Sequence, residues 1–232
     1  MSASTRVLLR DDPAVDWEGY MEFRLTYEGP LHSESVRDSA VRAKRAKEKQ
    51  EIRKQLHPQL KRWWNISPYL SDPRANRVGA GGVVLGRPYE KWGIPALAQR
   101  FALNGYNFVP LVMRELELFC HIDVLLLRHG SPRSVFEHGE EGGDIDNRFK
   151  VLFDGLSMPT DAAKLGGYLV PGVDENPFFV LLEDDSVITK ATVESDYLLK
   201  SVSTPPDPAD VRAIITVKIR AARVTAENLG FS

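Results

Sequence analysis

Three segments of the chain alternate apolar and polar residues, and this pattern constrains the fold more than any other feature. The segments are Met21–Tyr27, Leu116–Leu126 and Ala213–Ala221. A period of two predicts strands that bury one face and leave the other exposed. A chain of this kind needs at least one sheet that is covered on one side only.

Helix-favouring residues occupy two stretches between these strands, Ser35 to about Leu56 and Arg148–Leu156. Pro58 follows the first stretch, so we expect that helix to end there. Its low apolar content predicts a mostly solvated helix. A further strand is predicted at 187–199, after an apolar run at 178–182. Because strands and helices mix without strict βαβ alternation, the sequence predicts an α+β fold with a mixed β-sheet and packed helices.

A length of 232 residues allows one large domain or two small ones. We expect a single domain over residues 19–225, with an N-terminal tail at 1–18 and a C-terminal tail at 226–232. Two parts of the domain are rich in loops. Residues 65–107 carry repeated Pro and Gly, which predicts a long connection with short helical pieces, and residues 157–178 have few regular patterns.

The composition argues against several classes of protein. No apolar run approaches the roughly 20 residues that span a bilayer, so no membrane partner is expected. The first residues, MSASTRVLLRDD, lack the apolar core of a signal peptide. The single cysteine, Cys120, excludes an internal disulfide and is expected to be a buried apolar residue. These features together predict a cytoplasmic location.

The net charge of −2 conceals two blocks of opposite charge. Residues 37–62 hold ten Lys or Arg against three Asp or Glu, whereas residues 136–185 hold twelve acidic residues against three basic ones. A basic helix suits a polyanion such as DNA. The alternative is a solvated helix with internal ion pairs such as Lys44–Glu48. The candidate DNA contacts are Arg42, Lys44, Arg45, Lys47, Lys49, Arg53, Lys54, Lys61 and Arg62.

Two adjacent tryptophans, Trp63 and Trp64, follow this basic stretch. They could stack on exposed bases. Tryptophans more often belong to a core or an interface, and this second interpretation is favoured here.

The acidic block contains one ordered pattern, Asp144-Ile145-Asp146-Asn147-x-x-Lys150-x-x-x-Asp154. If a helix starts at Asp146 or Asn147, then Asp146, Lys150 and Asp154 share one face. Clustered carboxylates repel one another, and a hard divalent cation such as Mg²⁺ or Mn²⁺ offsets that cost. The alternative is that these residues are caps and surface charges. A second acidic group, Glu183-Asp184-Asp185, follows an apolar run about 30 residues later.

These two blocks resemble the signature of the RusA-type Holliday junction resolvases. The resemblance rests on Asp144-Ile145-Asp146-Asn147, Lys150 and Asp154-Gly155-Leu156, followed by Asp184-Asp185-Ser186-Val187-Ile188. It covers roughly Leu116–Leu199. Relative to that family, residues 65–107 and 157–178 are insertions.

The resemblance implies a RusA-like fold, a homodimer and Mg²⁺-dependent cleavage of branched DNA in recombination or repair, with Mn²⁺ able to substitute. It implies that Asp144, Asp146 and Asp185 hold the metal. With Lys150, these carboxylates form the catalytic set, and Asp154 and Asp184 have supporting roles. Two alternatives stay open. One is a non-catalytic protein for DNA binding or assembly that retains the fold, and the other is a metal-dependent phosphoesterase acting on a nucleotide.

Overall fold

A computed structural model describes residues 21–32, 39–71, 77–78, 84–85, 89–129 and 145–231. The strands are β1 (Met21–Pro30), β2 (Arg77–Val78), β3 (Val84–Leu85), β4 (Ala102–Leu103), β5 (Tyr106–Val112), β6 (Leu118–Arg128), β7 (Phe178–Leu182), β8 (Ile188–Tyr197) and β9 (Asp210–Ala221). The helices are α1 (Ser39–Ile66), α2 (Pro68–Ser71), α3 (Tyr89–Trp92), α4 (Ile94–Arg100) and α5 (Ile145–Leu156). The predicted N-terminal tail at 1–18 lies outside the described residues.

The main sheet has four strands in the order β1-β9-β6-β8. The β1–β9 and β9–β6 pairs are antiparallel, and the β6–β8 pair is parallel. Along β1, β6 and β9, buried residues alternate with more exposed ones, as the period-two pattern predicted. The prediction of an α+β fold with a mixed sheet is therefore confirmed.

Cys120 lies on the buried face of the central strand β6. Burial raises the pKa of its thiol to about 12, so the side chain stays a neutral, apolar group. This agrees with its predicted role in the core.

A second sheet of three strands has the order β4-β5-β7, with β5 and β7 parallel. It has its own small core of Tyr106, Phe108, Leu165, Phe178 and Val180. Strand β5 was not predicted, although YNFVPLV is an apolar run. Pro110 weakens the strand signal of that run, because proline cannot donate a backbone hydrogen bond to a neighbouring strand.

Helix α1 is longer and more buried than predicted. It continues through Pro58 to Ile66, which corrects the expected end near Leu56. Ile52, Leu56, Leu60 and Trp64 recur every four residues and form a buried stripe, so the helix is not mostly solvated. Packing of this stripe offsets the backbone hydrogen bond that Pro58 cannot donate.

The two tryptophans at the end of α1 belong to the core. Trp63 is 5% exposed and stacks on Phe23, with ring centroids 4.7 Å apart. Trp64 is 1% exposed and lies beside Phe179. Neither ring is available to stack on a nucleic-acid base.

The chain segment after α5, predicted as a loop-rich insertion, packs along α1. The carbonyl of Lys164 accepts a hydrogen bond from Arg53, and the Tyr168 hydroxyl donates to Glu51. Gly166 has a φ of +62°, and a Cβ there would lie 2.3 Å from the Cα of Lys47. Glycine thus permits both the left-handed turn and the close approach of this segment to α1.

The C-terminal residues, predicted to form a tail, pack on the fold. Phe231 is 1% exposed and meets the Tyr69 ring edge-on. The buried amide of Asn228 donates to the carbonyls of Leu116 and Arg223. Among the helices described, none is long and apolar enough to cross a membrane.

His57 is a buried residue of α1 whose ring packs against β7 in a neutral form. Its Nδ1 accepts the backbone N–H of Phe179, and its Nε2 donates to the carbonyl of Asp174, each at 2.9 Å. These bonds require a proton on Nε2 alone. Burial lowers the pKa of His57 below its ordinary value of 6.5.

We predict that His57 makes the fold sensitive to acid. Because its pKa is lower in the folded state, its contribution to stability is complete above about pH 6.5 and is lost as the pH falls through the folded pKa. The urea midpoint should therefore fall between pH 7.5 and pH 5, and His57→Gln should show a smaller fall. Equal falls in both proteins would contradict this assignment.

Candidate functional site

Helix α5 carries part of the predicted motif. Val151, Leu152 and Leu156 are buried against the core, whereas Lys150 is exposed on the opposite side. Asp154 follows Lys150 by four residues, which places both on one helix face. The helix begins at Ile145, slightly earlier than predicted, so Asp146 lies in its first turn, one turn before Lys150. The side chain of Asp146 and all of Asp144 lie outside the described residues.

The glycine of the Asp154-Gly155-Leu156 stretch has a packing role. A Cβ on Gly155 would lie 2.6 Å from Cγ2 of Ile52, closer than side-chain carbons approach. Glycine therefore lets α5 approach α1 closely beside Asp154, in the last turn of α5. The motif in this way positions an acidic residue against the basic helix.

The second acidic group lies at the end of buried strand β7. Asp184 caps the short 3-10 turn Asp185–Val187, because its Oδ1 accepts the backbone N–H of Ser186 at 2.9 Å. Arg114 donates to the same oxygen at 2.6 Å. Hydrogen bonds from Ser186, together with the Arg114 guanidinium, lower the pKa of Asp184. Asp184 thus caps the turn that carries Asp185, and the Asp185 carboxylate is exposed to solvent.

Two adjoining clefts bring the two acidic groups together. The larger, about 680 Å³, is lined by Asp154, Asp184 and Asp185. The smaller, about 310 Å³, is lined by Lys150 and Asp185 together with Phe149, Phe153, Ala191 and Val193. Asp185 borders both clefts, so it links the carboxylates of the larger cleft to Lys150.

The basic helix α1 forms the opposite wall of the larger cleft. Arg42, Arg45, Lys49 and Arg53 line it. Lys49 contacts the Asp154 carboxylate at 2.5 Å, and Arg45 contacts Glu48 at 2.8 Å. The charge blocks that are about 100 residues apart in the sequence therefore meet across one cleft.

The nine predicted DNA contacts divide by exposure. Arg42, Lys44, Lys47 and Arg62 are exposed. Lys54 is partly covered and pairs with Glu175 at 3.3 Å, and Lys61 reaches the carbonyl of Asp174 at 3.4 Å. Lys44 and Lys47 line a neighbouring cleft rather than the one that holds Asp185.

Arg53 is a correction to the predicted set, because its side chain is only 2% exposed. Its guanidinium donates to the carbonyls of Ser157 and Asp154 at 2.7 Å and of Lys164 at 3.2 Å. Burial lowers the pKa of Arg53 to about 10, and the Asp154 carboxylate acts in the opposite direction. Arg53 lies in the wall of the cleft, and its guanidinium is engaged by these three carbonyls.

In the described part of the chain, no group of three His, Cys, Asp or Glu residues is placed to hold a metal ion. Two of the three predicted ligands, Asp144 and the carboxylate of Asp146, lie outside the described part. Of the described aspartates in the two motif blocks, Asp154 and Asp184 are engaged by Lys49 and Arg114, which leaves Asp185 as the carboxylate that suits a hard cation.

Arg114 was not singled out from the sequence. It precedes β6 and contacts Asp184 and the Ser186 hydroxyl, and its backbone N–H donates to Glu183 at 3.0 Å. No local pattern marks it, because its partners lie about 70 residues further along the chain.

In comparisons with known proteins, no family model, no curated protein and no solved structure matches this chain.

Proposed function

We propose that this protein is a Mg²⁺-dependent, structure-selective DNA endonuclease of the RusA type, which hydrolyses phosphodiester bonds in Holliday junctions or related branched DNA. One observation carries the proposal. Asp185 borders both the groove that holds Lys150 and the cleft whose far wall is the basic helix α1. The chemistry expected of the motif and a surface for phosphates therefore adjoin.

In the proposed site, Asp144, Asp146 and Asp185 would hold the cation, which supplies charge neutralisation at the phosphate and an activated water. Lys150 lies beside Asp185, where its ammonium group can stabilise negative charge that develops on the phosphoryl oxygens. Asp184, pinned by Arg114, orients the turn that carries Asp185. The exposed cations of α1 bind the DNA backbone and set its position.

A non-catalytic protein for DNA binding or assembly is the second candidate function. It is favoured by the ion pairs of Asp154 with Lys49 and of Asp184 with Arg114, which engage two carboxylates of the cleft. This candidate predicts that branched DNA is bound but not cut at any concentration of Mg²⁺.

The deciding experiment compares a labelled four-way junction, a flap, a plain duplex and a single strand, each with Mg²⁺ or with EDTA. Symmetric nicking of the junction in Mg²⁺ alone supports the proposal. Cleavage of a small phosphodiester without binding of duplex DNA would favour a nucleotide phosphoesterase. Binding without cleavage would favour the second candidate.

We predict that Arg42 contacts a phosphate of bound DNA. Arg42→Ala should weaken binding to junctions of different sequence to a similar extent. It should also reduce the slope of log K against log salt concentration by about 0.9, the value for one released counterion. Binding is measured by fluorescence anisotropy in EDTA. Lys91→Ala is the matched control. Lys91 lies on α3, outside the basic helix, and its ammonium group pairs with Glu115 at 2.8 Å. An unchanged slope in Arg42→Ala would remove Arg42 from the interface.

A further inference from the structure

Strand β8 is the least covered strand of the main sheet. It forms one edge, and among the described residues no strand pairs with its outer side. Most of its side chains are exposed on both faces, including Val193 at 37% and Tyr197 at 50%. A long edge strand with exposed apolar residues is a template for pairing with another strand.

The charges along β8 are arranged for pairing with a second copy of itself. Its register with β6 places Lys190, Thr192, Glu194 and Asp196 on the open face of the sheet. A parallel pair in register would set lysine against lysine and each acid against itself. An antiparallel pair related by a two-fold axis avoids this, because it reverses the order of the charges.

We propose that two copies of this chain dimerise by antiparallel pairing of their β8 strands, with the two-fold axis at Val193. In this register, Lys190 lies opposite Asp196 of the partner subunit, and the pair occurs twice. The two Val193 side chains meet on the inner face. Within its own chain, Asp196 accepts the Tyr197 N–H through Oδ1 at 2.7 Å, and its second carboxylate oxygen can accept from a lysine.

A neighbouring register is less favourable. With the axis at Thr192, Lys190 would face Glu194 of the partner subunit, but Asp196 would lie opposite Ile188 of the partner subunit. Ile188 pairs with the buried Cys120, beyond a register shift from Lys190, and packs against the core, so Asp196 would have no cation opposite it in this register. The register at Val193 gives both Lys190 and Asp196 an oppositely charged partner and sets Val193 against Val193, with Glu194 opposite Thr192 of the partner subunit.

The dimer would place the two candidate sites on either side of the axis. Val193 lines the small cleft that also holds Lys150 and Asp185, so this cleft lies next to the paired strands. Two sites related in this way could act on two strands of one DNA substrate. The dimer itself does not rest on the proposed function, because it is measured without nucleic acid or metal.

Charge reversal tests the pairing. The full chain should show a monomer–dimer equilibrium in sedimentation experiments. Lys190→Asp and Asp196→Lys should each raise the dimer Kd about tenfold or more, since two attractive pairs become repulsive. An equimolar mixture of these two variants should form a heterodimer with a Kd close to that of the original chain, because each lysine then meets an acid again.

Neutral variants test the register. Asp196→Asn should weaken the dimer, whereas Glu194→Gln, the matched control, should leave the Kd within about twofold. If Glu194→Gln weakened the dimer and Asp196→Asn did not, the axis would lie at Thr192 and the stated register would be overturned. A monomeric original chain, or single variants that dimerise as it does, would overturn the interface. Circular dichroism of each variant checks that these exposed substitutions preserve the fold. Loss of DNA cleavage with intact dimerisation would count against the proposed function alone.

Discussion

Asp185→Asn should reduce Mg²⁺-dependent cleavage of a four-way junction by at least about a hundredfold. The expected size follows from the removal of a direct metal ligand, since even residues that only support metal ligands are worth 10–100-fold in affinity or activity. Asp185 is exposed, and its carboxylate is not part of the core, so the thermal midpoint should not change. Junction binding in EDTA should persist or tighten, because the substitution removes a negative charge that repels DNA.

Asp161→Asn is the matched control for this experiment. Asp161 lines the same cleft and loses the same charge, and asparagine can still cap the turn at Ala162–Leu165 as Asp161 does. Single-turnover rates at saturating Mg²⁺ and Mn²⁺ separate the two variants. If Asp185→Asn cuts as fast as Asp161→Asn, then Asp185 is not a metal ligand. If both are inactive, the negative charge of the whole cleft is required rather than one carboxylate.

The strands of the main sheet could be predicted because each carries its own signal. Alternation along β1, β6 and β9 reports which face is buried, and it does not depend on knowing the partner strand. Helix α5 was predicted for the same reason, since its apolar residues follow a helical period. Strand β5 is buried throughout most of its length and therefore lacks alternation. A uniformly apolar run that contains a proline gives no clear signal of a strand.

Helix α1 shows how tertiary contacts overrode local expectations. Its charge and low apolar content indicated a solvated helix that ends before Pro58. The buried stripe from Ile52 to Trp64 instead contacts β1, β7 and α5, and this packing stabilises the turns on both sides of the proline. The pairing of Lys49 with Asp154 likewise depends on the meeting of α1 and α5 in space. The sequence predicted which residue types form the site, whereas the folded arrangement decides which of them are available to a ligand.

Arg53→Met should be the most destabilising substitution among the basic residues of α1, by about 3–5 kcal/mol. Methionine replaces most of the apolar stem but leaves the carbonyls of Asp154, Ser157 and Lys164 without their donor. Each buried acceptor without a partner costs about 1–3 kcal/mol, and removal of one side of a buried charged network costs about 3–5 kcal/mol. For a chain of this length, the thermal midpoint should fall by about 6–20 °C.

Arg42→Met is the control, because Arg42 lies on the same helix with its side chain exposed, and its stability should change by less than about 0.5 kcal/mol. Urea unfolding of both variants gives the comparison. DNA binding should show the opposite order of effects. At low temperature, where both proteins are folded, Arg42→Met should weaken DNA binding, and Arg53→Met should retain it. A loss below about 1 kcal/mol for Arg53→Met would mean that water replaces the guanidinium at the three carbonyls. In that case the wall between α1 and α5 would be open to solvent, and Arg53 would return to the set of residues that can reach DNA.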